Sequence, residues 1–401
     1  MRARLLVALL ATLLLAPPAA TASPATLRAG LARALAGAGV SPARTSVLAV
    51  DLESGRAVFT HNPRLALAPA SSEKLAVAYA ALVELGPGYR FHTEVAGSGE
   101  LAGTTWRGDL HLVGHGDPTL SVKGLGALAA QVRAWGIRRV TGRVVGDESW
   151  FDLRRDAPGW KPGWLGDESP PLSALVAERA ETWPRLAPAL DAAARLTRAL
   201  ARRGVAVARQ PATGRTPADV LPLARHLSPE LAEIVKTMNR ESDNFTAEML
   251  LKQLGAAVGE RGSTAAGARV VRAALAAAGA PLHGVRVVDG SGLSRLDRLS
   301  AAALVALLRA ADANPSIRDA FLDSLAVAGV SGTLRNRLAR RPTFGRVIAK
   351  TGTTSVASSL AGFVRGRYAF AILQAGNLVS TLSARAAQDR FVTLLAGQAG
   401  R

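Results

Sequence analysis

The chain is 401 residues long, has no cysteine, and sets 49 Lys and Arg against 30 Asp and Glu, a formal charge of +19. With 49% hydrophobic and 20% charged residues it is not a disordered basic tail, and its length suits two or three domains with ample core. Without cysteine there is no disulfide framework, thiolate zinc site, iron–sulfur cluster or cysteine nucleophile, so covalent catalysis needs another residue.

Residues 1–22 read as a secretory signal peptide: Arg2 and Arg4 precede an apolar run from Leu5 to Ala16, followed by Pro17-Pro18 and the small-residue site Ala20-Thr21-Ala22. The run falls short of the ~20 residues a permanent span needs, and no later stretch supplies one. The expectation is a secreted protein, at work in the cell wall or periplasm, with no stable membrane span. Export and an aromatic content of 4% speak against a nucleic-acid partner. Of the basic residues 43 are arginine and six are lysine. Codon bias accounts for much of that charge, and attraction to an anionic polymer is the second reading.

In chain order, Ser46–Asp51, a Glu53-Ser54-Gly55 turn and Ala57–Thr60 predict a β-hairpin. A polar link through Asn62-Pro63 leads to Pro69-Ala70-Ser71 and a buried helix with Leu75, Val77, Ala78, Tyr79 and Leu82, ending at Gly86-Pro87-Gly88. From Phe91 to about Asp152 short alternating segments, with one helix near Leu125–Trp135, predict a separate, mostly β domain. Residues 156–171 read as loop. The helix ending at Gly204 places Arg195, Arg198, Arg202 and Arg203 on a solvated face. Helices are expected over Pro229–Arg240, Thr246–Leu254, Thr264–Ala278 and Ala301–Ala311. Strands are expected over Val285–Asp289, Gly345–Lys350, Ser359–Val364 and Arg367–Ala375, with a last helix from Ser383 to about Ala396.

Ser71-Ser72-Glu73-Lys74 places a hydroxyl and an amine three residues apart, on one face of a helix. Lys74 can then bond Ser71 Oγ and, if burial lowers its pKa, take its proton. Of the six lysines, Lys74 alone has Ser three positions earlier. Ser242-Asp243-Asn244 lies between two helices, and Asn244 alone among six asparagines has Ser two positions earlier. Read by itself, that segment is a helix N-cap. Lys350-Thr351-Gly352-Thr353 follows the strand Arg346-Val347-Ile348-Ala349. Its tip can hold an anionic group, though by itself it is an ordinary strand end and turn. Together and in this order, Ser-x-x-Lys, Ser-Asp-Asn and Lys-Thr-Gly form the set of penicillin-binding proteins and class A β-lactamases. No Gly-x-Ser-x-Gly elbow offers a Ser-His-Asp alternative.

The long interval between Lys74 and Ser242 implies an inserted domain. The pattern resembles the class C low-molecular-mass penicillin-binding proteins, the D-alanyl-D-alanine carboxypeptidase/endopeptidase family. The resemblance rests on Pro69-Ala70-Ser71-Ser72-Glu73-Lys74-Leu75, Met238-Asn239, Ser242-Asp243-Asn244, Ala247-Glu248, the segment from Asp289 to Arg295, the Lys350 segment, and Gly116-Asp117-Pro118-Thr119-Leu120. It implies an α/β (α+β) fold: a catalytic domain from 23–88 and 222–401, with an antiparallel sheet flanked by helices, and an insert over 89–221. The short bridge between Ser173 and Leu190 departs from longer relatives and implies that a second nested insert is absent or reduced.

The same resemblance implies that Ser71 attacks the carbonyl between two D-alanines. Lys74 would be the base and Ser242 the relay to the departing amine, with Lys350 easing the charges. The oxyanion would sit between the backbone N–H groups of Ser71 and Thr353, the substrate amide on Asn244, and the terminal carboxylate on Thr351 with Lys350. Asp147 would face the free amine of a diamino acid. No metal or organic cofactor is expected. The implied partners are peptidoglycan peptides, β-lactams and, through charge, anionic wall polymers. His115 and Asp117 read as hydrogen-bonded loop rather than a metal site, and Asp289-Gly290-Ser291-Gly292 as a structural turn beside the site. Two rivals stand: a serine β-lactamase, although no Glu-x-x-Leu-Asn motif supplies its deacylating base, and a non-catalytic wall-binding protein.

Overall fold

In the computed structural model of the chain, residues 24–36, 39, 41–180, 187–377 and 379–399 are described; the expected signal peptide lies outside them. The fold is α/β, built around two sheets.

The first sheet has six strands in the order Ala326–Val327, Val347–Thr354, Ala357–Val364, Tyr368–Ala375, Thr45–Asp51, Ala57–His61. Every pairing is antiparallel. Strand alternation sends Ile348, Ala361, Ala371 and Leu373 to one face, against helices Glu73–Leu85, Asn244–Ala257 and Ala301–Ala313. Val347, Ala349, Leu360, Phe370 and Ile372 go to the other face, against Leu31 of helix Pro24–Leu35 and Phe391 and Leu395 of helix Thr381–Gln398. A sheet covered on both faces explains why Ala357–Val364 is buried throughout. Each buried Leu, Ile or Phe contributes roughly 1.5–3 kcal/mol.

The second sheet has seven strands and is mixed. His92–Ala102 pairs antiparallel with Thr105–Gly114 and with Leu221–Leu227, while Arg139–Val140 and Val144–Asp147 join Thr105–Gly114 in parallel. Its core sets Val95, Leu110 and Val144 against Leu128 of helix Val122–Ala134 and Leu196 and Leu200 of helix Pro188–Arg202. Leu221–Leu227, at the boundary expected between the insert and the second catalytic segment, belongs to this sheet.

Three local expectations fail. Val285–Asp289 is loop with a single bridge between Arg286 and Arg298, because Asp297 Oδ1 takes the N–H groups of Val288 and Asp289 that a ladder would use. Lys350 to Thr353 lies inside a strand rather than at its tip, paired with the next strand as far as Thr354 and Ala357. Arg195 is not simply solvated: its Nε donates to Asp191 Oδ2 at 2.6 Å, one helical turn back, with both side chains largely buried. Helix Pro24–Leu35 and strand Leu221–Leu227 were not anticipated.

Candidate active site

Ser71 is half-buried on the single 3-10 turn Ala70–Ser72 that leads into helix Glu73–Leu85. Ala70 has φ 48°, a left-handed conformation that costs a non-glycine residue of order 1 kcal/mol and persists only where neighbours enforce it. Here they do. Ser359 Oγ donates to Pro69 O at 2.7 Å and meets Ser72 Oγ at 2.8 Å. Gly292 presses on the same turn so closely that a Cβ there would lie 1.9 Å from Ala70 O. The Ser71 turn is therefore clamped between the Ala357–Val364 strand and the 289–297 loop.

Lys74 lies one helical turn beyond Ser71 and has no solvent exposure. Its Nζ donates to Ser71 Oγ at 3.0 Å, Asn244 Oδ1 at 2.8 Å and Ser291 O at 2.6 Å, so all three ammonium hydrogens have acceptors. Burial lowers its pKa to about 8, against the opposing pull of Asp289, Glu248, Asp243 and Glu73. Such an amine is neutral for an appreciable fraction of molecules near pH 8 and can then accept the Ser71 proton.

The other arm starts from Ser242, whose φ of 60° ends helix Leu231–Glu241 in a left-handed cap. Asp243 caps the next helix by accepting from Thr246 N at 2.6 Å, so the N-cap role is real and belongs to the middle residue of the motif. Its neighbours turn to the cleft. Lys350 Nζ donates to Ser242 Oγ at 2.8 Å and to Thr351 O at 2.9 Å. Lys350 is fully buried, and burial, then the nearby Lys74 charge, push its pKa well below the usual lysine value. Asn244 uses both ends of its amide: Oδ1 on Lys74, and Nδ2 donating to Glu168 O at 3.0 Å.

Gly352 explains the glycine of the third motif. A Cβ there would lie 2.2 Å from Ser359 Oγ, 2.8 Å from Pro69 O and 3.0 Å from Ser71 N. Only a bare backbone lets the Val347–Thr354 strand lie against the Ser71 turn. Thr351 Oγ1 donates to Thr333 Oγ1 at 2.9 Å, and Thr353 Oγ1 accepts from Arg385 Nη2 at 3.1 Å. Thr353, Thr333 and Arg385 are exposed, so hydroxyls and a guanidinium line the rim while the two amines lie beneath.

Asp147 does not join this group. Its oxygens accept Ser149 N at 2.8 Å and Thr216 N at 2.6 Å, and the carboxylate is almost fully buried. Burial raises its pKa, but the bonds from Thr216 and Ser149 prevail and hold it below the usual carboxylate range. Its partners are those of a loop clasp. Asp289, by contrast, organises the floor of the site. It accepts from Gly292 N, Ser294 N, Ser291 Oγ and Trp160 Nε1, which makes the turn beside the site as structural as its sequence suggests.

Sequence reasoning gave no role to the Ser291 carbonyl, Glu248, Ser359 or Arg385. Glu248 Oε1 accepts Gly290 N at 3.0 Å and Ser291 N at 2.9 Å, and so holds the loop whose carbonyl holds Lys74. It stands four residues after Asn244, on the same helix face, and that spacing was the available signal. Glu248, Glu73 and Asp297 are buried together. Burial raises each, Glu248 to about 8 and the other two well above their ordinary values, with Asp289 adding to each.

A sequence model described as the D-Ala-D-Ala carboxypeptidase 3 (S13) family matches residues 27–187 and 176–398. A D-alanyl-D-alanine carboxypeptidase from Actinomadura sp. is 32% identical, over 89% of this chain and 82% of its own length. Carboxypeptidase DacB of Mycolicibacterium smegmatis is 32% identical over 88% and 82%. Among solved structures, penicillin binding protein 4 from Haemophilus influenzae superposes with a TM-score of 0.79 at 23% identity, covering 92% of this chain and 98% of its own.

Proposed function

The chain belongs to the D-Ala-D-Ala carboxypeptidase (S13) family and is a serine DD-peptidase of peptidoglycan, and from that premise we propose that Ser71 carries the acyl group. The observation that carries this assignment is the 3.0 Å bond between Lys74 Nζ and Ser71 Oγ, made by an amine whose pKa burial lowers to about 8. Neutral Lys74 takes the Ser71 proton as Oγ adds to the carbonyl of a D-Ala-D-Ala peptide. The tetrahedral oxyanion rests on the N–H groups of Ser71 and Thr353. The C–N bond breaks, the departing D-Ala amine receives a proton through Ser242, and Lys350 keeps that hydroxyl oriented. Water then attacks the ester, returning Ser71 and releasing the shortened stem peptide. Thr351, Thr353 and Lys350 face the terminal carboxylate, and the free N–H of Asn244 faces the substrate amide. β-Lactams acylate the same serine.

Residues 23–88 and 228–401 form the catalytic part in this reading, with the insert from 89 continuing through the strand that ends at Leu227 and a second nested insert absent or reduced. Residues 1–22 direct the chain out of the cytoplasm, and the arginine-rich surface adds attraction to anionic wall polymers. Cleavage of D-Ala-diamino acid cross-links uses the same acyl-enzyme with a different leaving amine. Incubation with a pentapeptide ending in D-Ala-D-Ala tests the assignment: the wild type releases D-Ala and Ser71→Ala does not. Equal release by both proteins overturns it. Mass analysis of digested cross-linked sacculi then separates the activities, loss of one alanine marking the carboxypeptidase and loss of cross-links the endopeptidase.

A further inference from the structure

Three donor side chains meet at the end of the inserted sheet, on elements that the peptidase chemistry does not use. His92 and Glu94 are two residues apart on strand His92–Ala102 and therefore point to the same face. The partner strand pairs Gly114 with Thr93, which carries the next residue, His115, up beside His92. The two imidazoles stack with centroids 3.9 Å apart and planes at 27°. His92 Nε2 lies 3.9 Å from Glu94 Oε1, and one donor atom from each of the three residues falls within 4.8 Å of the others.

Two features point to a ligand rather than a packed pair of rings. His115 Nδ1 is buried with no hydrogen-bond partner, the kind of orphan that costs free energy unless something binds it. The second is convergence: Glu94 stands on the same strand face as His92, so that one carboxylate and two imidazoles bring a donor atom each to one place. Glu94 supplies the negative charge, with Asp147 near His115, and Arg225 Nε, 3.5 Å from Glu94 Oε1, is the competing cation.

We propose that His92, Glu94 and His115 bind a divalent transition-metal ion of the zinc class. Two imidazoles and a carboxylate are a zinc donor set that leaves a position for water. A tetrahedral site with 2.0–2.1 Å bonds needs donor atoms roughly 3.3 Å apart, so the side chains close in from their present spacing as the ion binds. The site stands where the insert leaves the rest of the chain. Trp150 packs edge-on against His115, its Nε1 donates to Gln253 Oε1 on helix Asn244–Ala257, and Gln253 Nε2 donates to Tyr89 Oη. The ion therefore braces the end of the inserted sheet, next to the Trp150–Gln253 link to the helix that carries Asn244 and outside the Ser71 chemistry.

The test is calorimetric titration of chelator-stripped protein with zinc chloride, in parallel with thermal unfolding. The wild type takes up one Zn2+ per chain and unfolds at a higher temperature in its presence. Glu94→Gln and His92→Gln each weaken binding by more than the roughly 10–100-fold that loss of a supporting partner costs. His283→Gln, at an exposed histidine away from the cluster, leaves binding unchanged. Because Glu94 and His92 are partly exposed, the stripped variants unfold at the wild-type temperature, which separates a lost ligand from a damaged fold. Absence of saturable uptake by the wild type, or uptake that both variants retain, overturns the proposal.

Discussion

Lys74 and Ser291 are joined by a 2.6 Å bond from the buried amine to a backbone carbonyl, more than 200 residues apart in the chain. That carbonyl, with Asn244 Oδ1, holds the amine beside Ser71 Oγ, so the placement a base needs is set before any substrate arrives.

Acylation rises with pH through the Lys74 titration. Burial sets that pKa at about 8, and the active form is the neutral amine, so the rate of labelling by a fluorescent penicillin climbs close to tenfold per unit below pH 7 and levels above pH 9. Time courses between pH 6 and 10 measure it. A flat profile across that range removes Lys74 as the base. Ser71→Ala leaves no adduct at any pH.

The buried acids give an opposite trend in stability. The Glu248 pKa is raised from 4.5 to about 8, so the folded state binds its proton more tightly than the unfolded chain does. The stabilisation is complete below about pH 4.5 and is lost as pH rises towards 8, by up to about 5 kcal/mol for the full displacement. Glu248→Gln keeps the acceptor for Gly290 and Ser291 but cannot ionise. Its melting temperature relative to wild type increases from pH 5 to pH 8, and a constant difference would show that Glu248 is not protonated in the fold. Depressed lysines add their own slope, so the comparison is made between variant and wild type.

Gly352→Ala brings a methyl group 2.2 Å from Ser359 Oγ and 3.0 Å from Ser71 N. Overpacking of this kind costs roughly 1–3 kcal/mol, and the strand must part from the nucleophile turn. Penicillin labelling slows by about 100-fold or more, as a displacement of about 1 Å at a reacting centre does. Adding Ser359→Gly removes the nearest clash and recovers part of the rate. Labelling of Gly352→Ala at the wild-type rate would show that the strand does not need this close approach.

Much of the site was legible because lysine is scarce. With six lysines in the chain, those following Ser71 and Val347 stood out, and their motifs set the order of the catalytic elements. The parts that escaped notice are of another kind. Ser291 and Glu168 act through backbone carbonyls, which no side-chain motif reports. The edge strand Leu221–Leu227 carries Pro222, Arg225 and His226 and was hidden by its polarity, although it pairs with His92–Ala102. The Val285–Asp289 segment looked extended because nothing local reveals that Asp297 will capture its N–H groups. Arg385 was lost among 43 arginines, and only the fold brings it to Thr353.

Arg385 leads to a further prediction. Its guanidinium is exposed on the rim beside Thr353 Oγ1, close to where the terminal carboxylate of a D-Ala-D-Ala peptide would lie. A charge-assisted hydrogen bond in an open position contributes about 1–2 kcal/mol, equally in the ground state and the transition state because the carboxylate does not react. Arg385→Ala therefore raises KM for a D-Ala-D-Ala peptide by roughly 5- to 30-fold and leaves kcat nearly unchanged. A substrate whose terminal carboxylate is amidated loses that partner beforehand, so its poorer kinetics do not change with the substitution. A fall in kcat with unaltered KM, or an equal effect on the amidated peptide, would assign Arg385 to holding Thr353 in place rather than to recognising the carboxylate.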